Sequence, residues 1–321
     1  MERFTDRIAV ITGGGTGMGR ELVRQLSAEG CHVALCDVND DAMAETVALA
    51  EKEAPTGTRL TTFVADVADE SQVQGFRDHV VAERDTDCVH LVFNNAGVGG
   101  GGSFVLDDRA AWERTFGICW GGVYNGSRAF LPLLVASDGG HLVNVSSVNG
   151  LWASIGPFSP HTAYSAAKFA VRGFTEALLT DLRINAPHVQ AHVVMPGHIG
   201  TSIVLNSAAI LGHRPEDMTA EDLDRMRQTA ARLGVDVSAV SDDELRGFMQ
   251  VRGEAFRDGA PTTADQAATT ILDGVRAGRW RILVGDDAAV LDERVRADPE
   301  RAYDAEFFDE MVAAGGMNLG L

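Results

Sequence analysis

Short runs of β-branched and apolar residues alternate along this chain with longer stretches whose apolar positions recur every three or four residues. IAVIT (8–12) has the continuous hydrophobicity of a strand covered on both faces, GRELVRQLSAEG (19–30) has the spacing of an amphipathic helix stopped by Gly30, and HVALCDV (32–38) is the next strand. The alternation goes on to predict a helix over about 40–54, a strand at TTFVADV (61–67), a helix over about 70–84 and a strand at VHLVFNNAG (89–97). A long helix over about 108–136, the strand HLVNVSS (141–147), a helix over about 163–185 and the strand QAHVVMPG (190–197) extend it. Strands separated by helices of this length pair in parallel through right-handed crossovers, so the fold class is α/β, a doubly wound parallel sheet with helices on both faces.

From about 200 to 260 the strand pattern stops and the chain turns charged and helical, as in EDLDRMRQTAARLG and DDELRGFMQVRGEAF. This insertion follows directly on a strand's C-terminal end, where open α/β sheets hold their ligands, and so reads as a helical substrate lid; a solvated insertion with a packing role alone is the other reading. A helix over 263–277 and the strand RWRILVG (279–285) return to the sheet, and 286–321 is an acidic C-terminal extension, read as a surface helix or oligomer contact. The whole of 1–321 is expected to be a single domain.

With 321 residues, 45% of them hydrophobic, the chain has ample material for a core. A formal net charge of −19 argues against nucleic acid and anionic membrane as partners, since like charge repels across most of the surface. No basic segment leads into a long apolar run, so no membrane partner and a cytoplasmic location are expected. Cys31, Cys36, Cys88 and Cys119 are irregularly spaced within apolar patterns and read as reduced, structural thiols. His188 and His192 lack nearby carboxylates, and no metal site is expected.

TGGGTGMG (12–19) lies between the first strand and the first helix. Gly13, Gly15, Gly17 and Gly19, with Thr16 and Met18 between them, allow a tight turn that presents helix N–H groups and the positive end of the helix dipole to a pyrophosphate. Asp37 ends the second strand, where a carboxylate accepts hydrogen bonds from ribose hydroxyls and repels a 2′-phosphate, favouring NAD over NADP; alternatively it only opens the next helix. YSAAK (164–168) places a phenol and an ammonium four residues apart, on one helical face.

Taken together, TGGGTGMG, Asp66-Val67, NNAG (94–97), Ser147, YSAAK and PGHIGT (196–201) resemble, in order and context, the classical short-chain dehydrogenase/reductase family, over about residues 5 to 200 with 263–285 also fitting. The resemblance implies a Rossmann fold, an NAD cofactor and a homodimer or homotetramer. It implies that Tyr164 exchanges a proton with the carbinol oxygen, that Lys168 draws the phenol's pKa down and holds the nicotinamide ribose, and that Ser147, the second of the Ser146-Ser147 pair, orients the substrate oxygen. Asp66 and Val67 would flank the adenine, Asn94, Ala96 and Gly97 would lie along the cofactor, and Pro196, Gly197, Ile199 and Thr201 would close over the nicotinamide.

One position departs from the family pattern. Cys119 stands where many members carry an asparagine that positions a water beside the lysine, and a thiol lacks a carboxamide's paired donor and acceptor. Either the backbone carbonyl of residue 119 keeps the relay or catalysis is diverted. Seventeen positions separate Ser147 from Tyr164, and the extra residues fall in LWASIGPFSPHTA (151–163), where Trp152 and Phe158 line a substrate pocket or serve as core or subunit contacts.

The expected function is NAD-dependent interconversion of a secondary alcohol and a ketone. Trp112, Trp120, Trp152, Phe158, Met218, Met226 and Met249 favour an aromatic, alicyclic or terpenoid small-molecule substrate. The alternatives are a non-catalytic dinucleotide-binding or regulatory protein, and a nucleotide-sugar epimerase or dehydratase on the same fold.

Overall fold

The computed structural model describes residues 3–100, 102–156, 159–212, 214–232 and 234–315. Its strands and helices follow one another as β1 (Ile8–Thr12), α1 (Gly17–Ala28), β2 (His32–Asp37), α2 (Asp40–Glu53), β3 (Leu60–Val64), α3 (Glu70–Arg84) and β4 (Leu91–Asn94). Then come α4 (Arg109–Phe116), a π-helical turn (Gly117–Gly121), α5 (Gly122–Val135), β5 (Gly140–Val145), α6 (Thr162–Asn185), β6 (Val189–Pro196) and the two-residue β7 (Ile199–Gly200). The insertion is α7 (Ile203–Ile210), α8 (Ala220–Arg232) and α9 (Asp242–Asp258); β8 (Thr262–Thr263), α10 (Ala264–Arg276), β9 (Arg281–Val284), α11 (Asp286–Ala297) and α12 (Ala305–Ala313) follow.

Seven strands form one sheet in the order β3-β2-β1-β4-β5-β6-β9, every neighbouring pair parallel. The order reverses between β1 and β4, which opens a crevice at their C-terminal ends. One core cluster joins α1 and α10 to the sheet through Leu22, Leu26, Ile271 and Val275; a second, on the opposite face, gathers Phe76, Phe130, Leu178 and Leu182.

The long helix expected over 108–136 is broken at its middle. GICWG takes a π turn, whose extra residue per turn shifts the helical register and sets Cys119 facing inward, fully buried. The C-terminal segment is core-forming as well as exposed: Ala288, Leu291, Ala302, Phe307 and Met311 pack with Trp152 in a third cluster. Trp152 is 2% exposed, its indole donates to the Ala302 carbonyl, and its ring meets those of Phe307 and Phe308, so it is a core residue. Phe158 lies outside the described residues.

β5 and β6 carry a buried histidine pair near their N-terminal ends. His141 Nδ1 is 2.9 Å from His192 Nε2, and His192 Nδ1 is 2.7 Å from the Arg279 carbonyl. A carbonyl only accepts, so His192 donates from Nδ1 and receives the His141 proton at Nε2, with both rings neutral. Burial pushes His141 down to about 3, helped by the neighbouring ring, and His192 down to about 4. The folded chain thus binds fewer protons than the unfolded chain, and this part of its stability is present above about pH 6.5 and lost as pH falls toward 4 and 3. A His141→Gln variant is expected to remove on the order of 1–2 kcal/mol of the stability difference between about pH 7.5 and 5. Urea midpoints at the two pH values measure it, and an equal pH dependence in wild type and variant would show that His141 takes up its proton as readily in the folded chain as in the unfolded one.

Candidate active site

Where β1 ends, the backbone must turn within van der Waals reach of β4. Gly13 takes φ +67°, and a Cβ there would lie 2.8 Å from the Ala96 Cα; a Cβ on Gly19 would land on the Gly13 carbonyl oxygen. Glycine is therefore required at both positions. Asn95 Nδ2 donates to the carbonyls of Thr12 (3.0 Å) and Gly13 (3.2 Å), while Thr12 Oγ1 accepts from the backbone N–H groups of Asn95 and Ala96. Thr12 and Asn95 were not among the residues picked out from the sequence; the doubled asparagine of NNAG was the available signal. Asn94 has a different place: it is buried, with Nδ2 donating to Ser127 Oγ and Asn144 Oδ1, inside a core network that Asn144 extends to Thr175. After β4 it is Ala96 and Gly97 that border the crevice.

The N-terminus of α1 is open. Its N-cap Thr16 makes no side-chain cap and no acidic residue occupies its first turn, leaving N–H groups and the dipole's positive end available to an anion. Asp37 stands beside this turn, Oδ2 accepting from Gly15 N (3.0 Å) and Oδ1 from Asn39 N (3.1 Å). The helix that follows is capped by Asn39, whose side chain accepts from Ala42 N, so Asp37 is not its opener. Arg20, the cation adjoining the turn, is held by the Gly15 carbonyl and the Glu45 carboxylate. The residues present therefore suit a dinucleotide, with a pyrophosphate at α1 and a hydroxyl-bearing ribose at Asp37. Asp66 caps Ala68 N and pairs with Arg114 at 2.7 Å, while the Val67 carbonyl accepts from Asn125.

Ser147, Tyr164 and Lys168 converge at the end of β5. Ser147 lies close enough to the Tyr164 hydroxyl to favour its ionised form, and Lys168 Nζ lies 5.4 Å from the Tyr164 ring centre. Lys168 is 3% exposed and donates from Nζ to the Val145 carbonyl at 2.9 Å. Ser146 differs from its neighbour: its hydroxyl donates to the Lys168 carbonyl, tying α6 to β5. The expected fall in the phenol's pKa is not found in the protein by itself. Burial pushes Tyr164 well above the usual tyrosine value, with the Ser147 hydrogen bond only partly opposing it, and burial pulls Lys168 below the usual lysine value. Spacing fixed the neighbours but not the depth at which they sit.

Cys119 also adjoins Lys168. A Cβ placed on Gly97 would be 3.5 Å from Lys168 Nζ and 3.9 Å from Cys119 Sγ, and that thiol donates to the Val98 carbonyl at 3.2 Å. His161, the residue before α6, packs its ring 4.7 Å from that of Tyr164, tilted by 40°, and is pushed down to about 4 by burial and by the Arg252 charge.

Pro196 ends β6, and the segment after it folds over the crevice. Gly197 N donates to the Val284 carbonyl, His198 N to Asp287 Oδ2 at 2.6 Å, and Ile199-Gly200 pairs with Thr262-Thr263. Thr201 lies against Gly17 of the glycine turn. Asp287, buried and raised above the usual aspartate value by that burial, anchors this segment from the C-terminal extension, where no sequence pattern marked it. α7 bridges the two sides of the crevice: Asn206 Nδ2 donates to Thr16 Oγ1 (3.2 Å), and Ser207 Oγ accepts from Gly99 N (2.7 Å). Trp112 donates its indole N–H to Thr162 and stacks on Phe116, Trp120 packs against Phe174, and Met218, Met226 and Met249 are half-buried in the insertion.

The chain is similar to known proteins over most of its length. The sequence pattern of the family described as short chain dehydrogenase matches residues 7–210. SadH of Mycobacterium tuberculosis, named as an oxidoreductase, is 36% identical over 315 residues, covering 98% of this chain and 97% of its own. Levodione reductase of Leifsonia aquatica is 35% identical over 227 residues, covering 68% of this chain and 79% of its own. A short-chain dehydrogenase/reductase from Burkholderia phymatum, crystallised with NAD, superposes with a TM-score of 0.72 at 26% identity, covering 99% of this chain and 98% of that one. The chain belongs to the short-chain dehydrogenase/reductase family.

Proposed function

We propose that this protein is an NAD-dependent oxidoreductase that interconverts a secondary alcohol and a ketone. The observation that carries the reading is the convergence of Ser147 and Tyr164 above a buried Lys168, at the mouth of a crevice whose other side is an uncapped helix N-terminus. The nicotinamide supplies the two-electron exchange, taking hydride from the carbinol carbon in oxidation and returning it to the carbonyl carbon in reduction. Ser147 donates to the substrate oxygen and fixes it beside Tyr164. In reduction the phenol gives its proton to that oxygen as the new C–H bond forms; in oxidation the phenolate receives it. Lys168, with N–H groups beyond the one on Val145, holds the nicotinamide ribose and offsets phenolate charge.

Asp37 favours NAD: a 2′-phosphate there would meet a carboxylate, and Arg20 is already paired with Glu45. Gly13, Gly15, Thr16, Gly17, Met18 and Gly19 would cradle the pyrophosphate, Asp66 and Val67 the adenine, and Ile199 and Thr201 the carboxamide. The insertion acts as a lid, since α7 touches both the glycine turn and the loop after β4. The half-buried methionines suit an apolar aromatic, alicyclic or terpenoid body, and a relative named for levodione and a neighbour holding NAD support the same reading. Tyr124 and Phe169, exposed on α5 and α6, fit a homodimer or homotetramer contact.

Replacing Tyr164 with Phe is expected to lower turnover by about 10³-fold while NADH binding, read by fluorescence, changes less than about twofold. Turnover that survives the change would remove Tyr164 from the proton step. Because burial raises the phenol's pKa, initial rates of ketone reduction should stay level between about pH 6 and 8, while alcohol oxidation climbs through that range. For Asp37→Ala, the ratio of kcat/KM with NAD to that with NADP should fall by about 10²-fold, and an unchanged ratio would mean that Asp37 does not read the ribose.

A further inference from the structure

Two glycines leave room for one carboxylate. Asp287, in the first turn of α11, is 7% exposed; a Cβ placed on Gly197 would land on both of its carboxylate oxygens, and a Cβ on Gly285 would land on Oδ1. Gly197 follows β6 and Gly285 follows β9, so the carboxylate fills a notch between the C-terminal ends of two neighbouring strands. There Oδ2 accepts from His198 N at 2.6 Å. Oδ1 has no hydrogen-bond partner of good geometry among the described residues, with the N–H groups of Asp287 itself and Ala288 near the carboxylate. A buried carboxylate with one oxygen so weakly met is costly, and an asparagine could answer the same His198 N–H without a charge. What the charge adds is strength in the bond it makes, since a charge-assisted hydrogen bond is about twice as strong as a neutral one.

That bond stands at the root of the segment that folds over the crevice. Gly197 N donates to the Val284 carbonyl, so the root is held from β9 and from the helix that follows it. Beyond His198, Ile199-Gly200 pairs with Thr262-Thr263, and Thr201 lies against Gly17 of the glycine turn. The His198 ring meets α9, with Nε2 2.6 Å from the Phe256 carbonyl. The extension that carries Asp287 also holds the loop after Ser147: Trp152 donates its indole N–H to the Ala302 carbonyl, and Ala153 N donates to the Tyr303 hydroxyl at 3.1 Å. Residues after β9 thus anchor segments on which the candidate site depends.

We propose that Asp287 is a positioning residue for hydride transfer: by fixing the His198 N–H it sets where Ile199 and Thr201 stand over the crevice, and these hold the nicotinamide end of the cofactor. This rests on the oxidoreductase reading above and adds to it a residue of the C-terminal extension. Asp287 takes no part in the bond changes. Its effect is confined to the nicotinamide end, so the adenosine and the pyrophosphate bind equally well without it. A small misplacement of the reacting carbon is enough to slow the transfer by as much as about 10²-fold.

The test uses the full chain and two probes: NADH, and ADP-ribose, which has the adenosine and the pyrophosphate but no nicotinamide. Asp287→Ala should weaken NADH binding, read by fluorescence, by about tenfold and leave ADP-ribose binding, read by calorimetry, within about twofold. Asp287→Asn, which keeps a carbonyl oxygen for the His198 N–H, should fall between Asp287→Ala and wild type. With the cofactor saturating and levodione as the probe ketone, kcat should drop by about tenfold to a hundredfold in Asp287→Ala while KM for the ketone moves by less than about threefold. Asp286→Asn, which removes an exposed charge one position away, should match wild type throughout. Should Asp287→Ala not fold, the same split between NADH and ADP-ribose is required of Asp287→Asn. Equal losses for the two probes, or NADH binding and kcat that survive Asp287→Ala, overturn the inference and leave the oxidoreductase reading standing. Where levodione is not reduced, the two binding constants decide alone. A wild type that binds neither NADH nor NADPH ends the dinucleotide reading, and the inference with it.

Discussion

Lys168 is fastened to β5 at both ends. Its ammonium donates to the Val145 carbonyl, and its own carbonyl accepts from the Ser146 hydroxyl. A buried ammonium is costly unless its donors are met, so the first bond fixes where the side chain ends; the second fixes where the helix passes. The approach is close because Gly150 carries no side chain where the Lys168 carbonyl passes. One helical turn earlier, Tyr164 then has a single place to be, next to Ser147, the residue after the serine that ties the helix. Farther along α6, Asn144 donates to Thr175, adding another rung of the same ladder. The reactive geometry is thus a by-product of how α6 docks on β5, and it is as rigid as the core it belongs to.

Burial also sets the charges. It holds Tyr164 as a phenol and keeps His161 neutral beside it, so in the protein alone neither ring carries a charge. The uncapped end of α1 is suited to an anionic guest. Asp37 adds a carboxylate beside the glycine turn, held by two backbone N–H groups.

The alternation of strand and helix was legible because burial on both faces of a parallel sheet writes continuous apolar runs, and one-sided helix burial writes a period near four. The glycine turn and the Tyr164–Lys168 pair were legible because their partners are close in sequence. Asn95 could not be separated from Asn94 this way, since the choice depends on whether the side chain points at Thr12 or at Ser127 and Asn144, all more than thirty positions away. Trp152 became a core residue only once α12 supplied Phe307 and Phe308. Asp287 carries no local signature at all; its meaning comes from the His198 N–H it accepts from. The π turn escaped for a related reason, since its apolar residues fit an ordinary helix equally well.

The insertion is held differently from the rest. α7, α8 and α9 bury few large side chains of their own, Leu223 and Leu245 among them, and dock through isolated polar contacts such as Asn206 with Thr16, Ser207 with Gly99 and His198 with the Phe256 carbonyl. Elements with so small an apolar share open at lower free energy than the sheet beneath them. The insertion can part from the sheet without disturbing the Lys168 clamp, because no residue of the clamp belongs to it. The same separation allows the insertion to change sequence while the residues around Lys168 stay fixed.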